Sequence, residues 1–121
     1  MAKILVIEDD KLMQEALTGV LESIGHTVNC ESDGRVGFEN FKQNQYDLVI
    51  TDYAMPVMKG DELALAIKAR TPGQPVVMIT AYAEMLKASN HPLRGVDFII
   101  SKPFLLENLR DAISKSAPIS K

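Results

Sequence analysis

Four runs of apolar residues lack the polar alternation of a half-exposed strand: Ile4-Leu5-Val6-Ile7, Leu48-Val49-Ile50, Val76-Val77-Met78-Ile79 and Phe98-Ile99-Ile100. Such runs read as strands buried on both faces, the habit of a parallel sheet. Thr27-Val28-Asn29-Cys30 adds a short second strand, and the third is expected to run from Tyr46 to Asp52. Between the strands the period becomes helical. Leu12, Met13, Ala16, Leu17, Val20, Leu21 and Ile24 form one stripe, opened by Asp10 as a cap and closed by Gly25. Asp33-Gly34 turns into a weaker helix through Val36, Phe38 and Phe41. Beyond Gly60, Asp61 is expected to cap a helix carrying Leu63, Leu65, Ala66, Ile67 and Ala69. Thr71-Pro72-Gly73-Gln74-Pro75 is a loop by composition. A helix starting over Ala83 to Ala88 should be cut short by Pro92. Gly95 precedes the fifth strand, Phe98 to Ser101. Lys102-Pro103 ends it before a last helix through Leu106, Leu109, Ala112 and Ile113.

Five strands alternating with five helices imply an α/β protein with a parallel sheet, right-handed crossovers and helices on both faces. The expected arrangement is the doubly wound (βα)5 flavodoxin-like fold with strand order 2-1-3-4-5, one of the two common orders for this pattern. The 121 residues suit one domain over 1–121, with 116–121 as a frayed tail. A net charge of −3 with no basic run argues against direct nucleic-acid binding. The single Cys30 excludes an internal disulfide and fits a reducing compartment. No apolar stretch is long enough to enter a bilayer as a span, and Met1-Ala2-Lys3 leads straight into a strand without a signal peptide. A cytoplasmic location is the expectation.

Chemistry gathers at the strand ends. Glu8 and Asp9 follow the first strand, Asp52 the third, Thr80 the fourth and Lys102 the fifth. In a parallel sheet these ends share one edge, where open α/β sheets bind ligands. Bare carboxylates about 4 Å apart repel by about 4 kcal/mol at an effective dielectric of ~20. A divalent cation relieves this, and Mg²⁺ suits Asp9 and Asp52, since it favours one or two carboxylates, retained waters and a phosphate oxygen. An aspartate kept ionised by a metal and a lysine is poor at proton transfer but suited to attack phosphorus, forming an aspartyl phosphate. Lys102 would neutralise charge on the transferred group, and Thr80 could donate to a phosphoryl oxygen. Glu8 would hold a water of the metal rather than the ion itself.

The segments Ile4-Leu5-Val6-Ile7-Glu8-Asp9-Asp10, Thr51-Asp52-Tyr53-Ala54-Met55-Pro56 with Gly60, Ile79-Thr80-Ala81, and Ser101-Lys102-Pro103-Phe104 together resemble the receiver domain of two-component response regulators, similar to the stand-alone chemotaxis-type regulators. The resemblance covers essentially the whole chain. It implies that Asp52 takes a phosphoryl group from a histidine kinase or histidine phosphotransfer protein. It implies a metal, Mg²⁺ or Mn²⁺, on Asp9, Asp52 and the backbone carbonyl of Ala54. Thr80, Ala81 and Lys102 would contact the phosphate. Ala54 and Tyr82 stand where receivers tune the phosphate's lifetime. The Lys102-Pro103 bond is similar to one that is cis in the family. The product would be a signalling phosphoacceptor rather than an enzyme, a monomer or weak homodimer acting on a downstream protein target.

Two positions depart from the family pattern. Receivers usually carry Tyr or Phe three residues before the lysine, where this chain has Ile99; Phe98 points to the opposite face of a strand. Pro92 interrupts the fourth helix. The output surface is therefore expected to work differently, or the main partner to be another phosphotransfer domain.

Rival functions are weaker. A phosphatase of the haloacid dehalogenase type needs a second Asp two residues after the first, where Ala54 stands. A nucleotide- or flavin-binding domain needs a Gly-rich or Ser/Thr-rich phosphate loop, and Glu8-Asp9-Asp10-Lys11 is not one. A non-phosphorylated interaction module would have no need of the intact Asp9, Asp52, Thr80 and Lys102. The remaining polar candidates have plain readings: Asp10 and Asp61 as helix caps, Asp47 as solvated, His26 and His91 as surface residues without zinc spacing, Cys30 as a small core residue, and Met55 and Met58 as loop packing.

Overall fold

The computed structural model describes residues 2–88 and 93–116. Ten elements alternate: β1 (Lys3–Ile7), α1 (Lys11–Ser23), β2 (Thr27–Glu31), α2 (Gly34–Gln43), β3 (Leu48–Thr51), α3 (Gly60–Arg70), β4 (Val76–Thr80), α4 (Ala83–Ala88), β5 (Phe98–Ser101) and α5 (Leu106–Ser116). The strands form one sheet in the order β2-β1-β3-β4-β5, and every pairing is parallel.

The apolar runs of β1, β3 and β4 are uninterrupted because each of these strands feeds two cores. Ile4, Val6, Leu48, Ile50, Val77, Ile79 and Ile100 pack with Leu17 and Leu21 of α1 and Leu109 and Ile113 of α5. Leu5, Ile7, Val49 and Val76 face the other way, onto Phe41 of α2 and Leu63, Ala64 and Ile67 of α3. Successive residues point to opposite faces, so a run with both sets apolar must be covered twice. Phe98 packs against the first cluster, which leaves Ile99 on the opposite face as the alternation requires.

Local details differ from the sequence expectations, each for a traceable reason. β3 begins at Leu48 rather than Tyr46 because Asp47 is used to fasten the start of β1. Its carboxylate accepts from Lys3 N–H at 2.8 Å and its own N–H donates to the Lys3 carbonyl, so it is half-buried rather than solvated. α3 is capped at Lys59, not Asp61: the Glu62 carboxylate reaches back to Lys59 N–H at 2.9 Å, and Asp61 lies within the first turn. His26 is half-buried, with Nδ1 accepting from Ala2 N–H at 3.0 Å. Burial there lowers its pKa below the ordinary imidazole value. Cys30 is also half-buried, against the first core and 3.0 Å from Thr18 Oγ1. Asp10 caps α1 as expected, accepting from Leu12 N–H at 3.0 Å and Met13 N–H at 3.4 Å. α4 is described over Ala83–Ala88; Pro92, expected to shorten it, and His91, expected at the surface, lie outside the described residues, as does the 117–121 part of the tail.

Candidate phosphoacceptor and metal site

The carboxyl edge of the sheet gathers side chains that lie up to 94 positions apart in the chain. Asp52 is the first residue beyond β3. Its backbone N–H still donates to the Ile7 carbonyl at 3.1 Å, so the ladder with β1 fixes where its side chain emerges. Lys102 follows β5 in the same way, its N–H donating to the Thr80 carbonyl at 2.9 Å. Its side chain runs back over the edge. Nζ stands 3.1 Å from Glu8 Oε1 and 3.1 Å from Asp52 Oδ2.

The acids are held at their other oxygens too. Asp52 Oδ1 accepts from Tyr53 N–H at 2.7 Å, and Glu8 Oε2 accepts from Asp10 N–H at 3.1 Å. Glu8 is 2% exposed and Asp52 8%, so both would be costly to keep ionised without these partners. Burial pushes the Glu8 carboxyl above the usual carboxylate range and the Asp52 charge adds to this, against the pull of Asp10 N–H and Lys102. Burial alone would lower the Lys102 ammonium. The hydrogen bonds and charges of Asp52 and Glu8 outweigh it, and the net shift is upward.

Asp9 is exposed, and Glu8, Asp9 and Asp52 each offer a carboxylate oxygen within 4.8 Å of the others. Hard oxygen donors crowded this closely, with one ammonium between two of them, fit a hard divalent cation such as Mg²⁺. Both oxygens of Glu8 and both of Asp52 already have protein donors, and Asp9 is the exposed member of the three. Thr80, at the end of β4, is fully buried, and its Oγ1 accepts from Tyr82 N–H at 3.1 Å. Ala81 is exposed at the turn that follows. Ala54 is half-buried in the loop after Asp52. The Lys102-Pro103 peptide is cis.

Two supporting features are less visible in the sequence. Gly60 stands in the sequence as part of the Asp52 motif, but its steric role is not visible there: a Cβ at this position would lie 2.0 Å from the Asp52 carbonyl oxygen. Its N–H donates to the Tyr53 carbonyl at 2.9 Å, so a residue without a side chain lets α3 start directly beneath the Asp52 loop. Tyr53, next to Asp52 in the chain, and Tyr82, two residues after Thr80, form an edge-to-face pair with ring centroids 6.4 Å apart, and Lys59 Nζ sits 5.8 Å from the Tyr53 centroid.

A doubly wound sheet with acids and a lysine converging on its carboxyl edge is the plan of a two-component receiver. The family model described as response regulator receiver domain matches residues 4–114, and the chain belongs to that family. It is 32% identical to the response regulator protein FleR of Pseudomonas aeruginosa over 96% of this chain, but spans only 24% of FleR. It is 31% identical to the chemotaxis protein CheY of the same organism, covering 93% of this chain and 94% of CheY. Among solved structures it is similar to the response regulator TrrA of Thermotoga maritima in complex with Mg(2+)-BeF, with TM-score 0.88, 28% identity, and 96% and 99% of the two chains covered. TrrA has also been solved in complex with the histidine kinase ThkA, with TM-score 0.86, 28% identity, and 96% and 98% covered. Receiver function is thereby favoured over the phosphatase alternative. Among the described residues, no helix is long and apolar enough to cross a membrane.

Proposed function

We propose that Asp52 is the phosphoacceptor of this receiver, taking its phosphoryl group from a histidine kinase or histidine phosphotransfer protein with Mg²⁺, or Mn²⁺ in its place, on Asp9, Asp52 and the Ala54 carbonyl. The observation that carries this reading is the Lys102 ammonium, 3.1 Å from both Asp52 Oδ2 and Glu8 Oε1, on the rim where Asp9 also lies. Tyr53 N–H and Lys102 hold the two Asp52 oxygens, so the carboxylate is fixed in orientation before a donor arrives. A divalent ion there would neutralise charge on the phosphoryl oxygens during transfer. Lys102 is placed to meet another of those oxygens once the Asp52 oxygen has bonded to phosphorus. Thr80 accepts from Tyr82 N–H, so its own hydroxyl proton is the one it can offer to the phosphoryl group, beside Ala81. Glu8 steadies Lys102 and would hold a water of the ion.

The chain acts as a signalling phosphoacceptor in the cytoplasm, a monomer or weak homodimer that passes its state to a downstream protein and contacts neither nucleic acid nor membrane. The TrrA–ThkA complex and the match to CheY over 94% of its length support the phosphoacceptor part of that reading. Incubation with Mg²⁺ and a small-molecule phosphodonor tests it. Labelling should reach one phosphoryl group per chain and vanish in Asp52→Asn. Labelling that survives Asp52→Asn, or multiple turnover of phosphomonoesters, would overturn it.

A further inference from the structure

Gln14 is a half-buried residue of α1 that the site's chemistry does not use. Its Nε2 lies 2.6 Å from the Glu8 carbonyl and 3.3 Å from the Glu31 carbonyl. Both neighbours are acceptors only, so the amide nitrogen must be the atom that faces them, and its two N–H groups match the two carbonyls. Glu8 N–H also donates to the Glu31 carbonyl, at 3.0 Å. Gln14 therefore closes a triangle between the first residue beyond β1 and the last residue of β2, at the point where β1 runs out and the acidic loop begins.

The consequence falls on Asp9. The peptide before it is held through the Glu8 carbonyl by Gln14. The peptide after it is held through Asp10 N–H by Glu8 Oε2, at 3.1 Å. Asp10 is anchored in turn, by its cap bonds to α1 and by its carbonyl, which accepts from Gln14 N–H at 2.9 Å. Asp9 is thus an exposed carboxylate on a backbone pinned on both sides, and one side chain, Gln14, takes part in that pinning from the helix. We propose that Gln14 is a positioning residue for the divalent-cation site: by fixing the Glu8–Asp9 peptide it holds the Asp9 carboxylate facing Asp52. This rests on the reading of Asp9 and Asp52 as the metal ligands.

The test is Mg²⁺ binding by the unphosphorylated full chain, followed by calorimetry and by amide NMR shifts of residues 8–10. Gln14→Met keeps length and helix propensity but has no N–H. Its Mg²⁺ dissociation constant should rise about tenfold, the lower end of what outer partners of metal ligands contribute. Gln14→Arg can again donate to both carbonyls and should recover most of the loss. The Asp10 amide should exchange faster in Gln14→Met, with the β1 amides Ile4 to Ile7 unchanged. An unaltered constant in Gln14→Met overturns the proposal. So does a weakening that Arg does not rescue and that comes with lost protection throughout β1, since that is general destabilisation. If the wild-type chain itself fails to bind Mg²⁺, the metal reading falls first, and this proposal with it.

Discussion

Lys102 is one ammonium shared by two acids that are almost out of water, with side-chain exposures of 2% for Glu8 and 9% for Asp52. Removing one member of such a buried group leaves the others uncompensated, which costs more than the pair contributes while intact. Lys102→Met should therefore lower the unfolding free energy in urea by about 3 kcal/mol at neutral pH without metal. Part of that loss should return with Mg²⁺, because an ion that binds only the folded state stabilises it by mass action. Asp52→Asn should behave oppositely. It removes one negative charge from the Glu8–Asp9–Asp52 cluster, while an amide oxygen can still accept from Tyr53 N–H or Lys102. Its unfolding free energy should be equal to or above wild type by about 1 kcal/mol. Marked unfolding of that variant would contradict the account of a self-repelling acidic rim.

At the scale of elements, the loop between β3 and α3 and the strand β5 carry separate predictions. Gly60 is confined by backbone rather than by a flexible side chain, with the Asp52 carbonyl 2.0 Å from where a Cβ would stand. Gly60→Ala must push the start of α3 away from Asp52. It should cost about 3 kcal/mol in urea unfolding, the upper end for overpacking, and slow labelling of Asp52 as well. In β5, Ile99 replaces the usual aromatic and Phe98 is committed to the opposite core. A branched aliphatic side chain has no ring to swing inward and no hydroxyl to show a partner. Amide exchange before and after phosphorylation, across residues 81–104, should change in the turn after β4 and little in β5. A full response running through β5 would refute this. The strands and the strand-end residues were legible in the sequence because burial on both faces writes itself as an unbroken apolar run, and because a parallel sheet puts every carboxyl end on one edge. The cap at Lys59, the fastening role of Asp47 and the donors Gln14 and Tyr53 N–H were not. Each depends on a backbone group's direction, which apolar periodicity does not encode.

For the whole molecule, stability depends on pH through groups far from the signalling edge as well as through the acids on it. His26 lies at the start of β2, and its Nδ1 accepts from Ala2 N–H at 3.0 Å. A ring nitrogen that accepts is unprotonated, and burial lowers the pKa further, so the folded chain favours the neutral ring. In the unfolded chain the ring titrates at the ordinary value of about 6.5. Above that pH neither state holds the proton, and the preference contributes its full stability. As pH falls below it, the unfolded state takes up a proton that the folded state resists, and stability drains until the folded-state pKa is passed. Every other titrating group, His91 and the carboxylates included, is common to both proteins compared, so the difference between wild type and His26→Gln isolates this group. The Gln side-chain oxygen can keep the bond from Ala2 N–H without titrating. Urea unfolding of the two proteins at pH 7.5 and pH 5.5 should show wild type losing more stability on acidification than His26→Gln. Equal losses would mean that His26 keeps its ordinary affinity for the proton in the fold, and that the Ala2 contact is not maintained in solution.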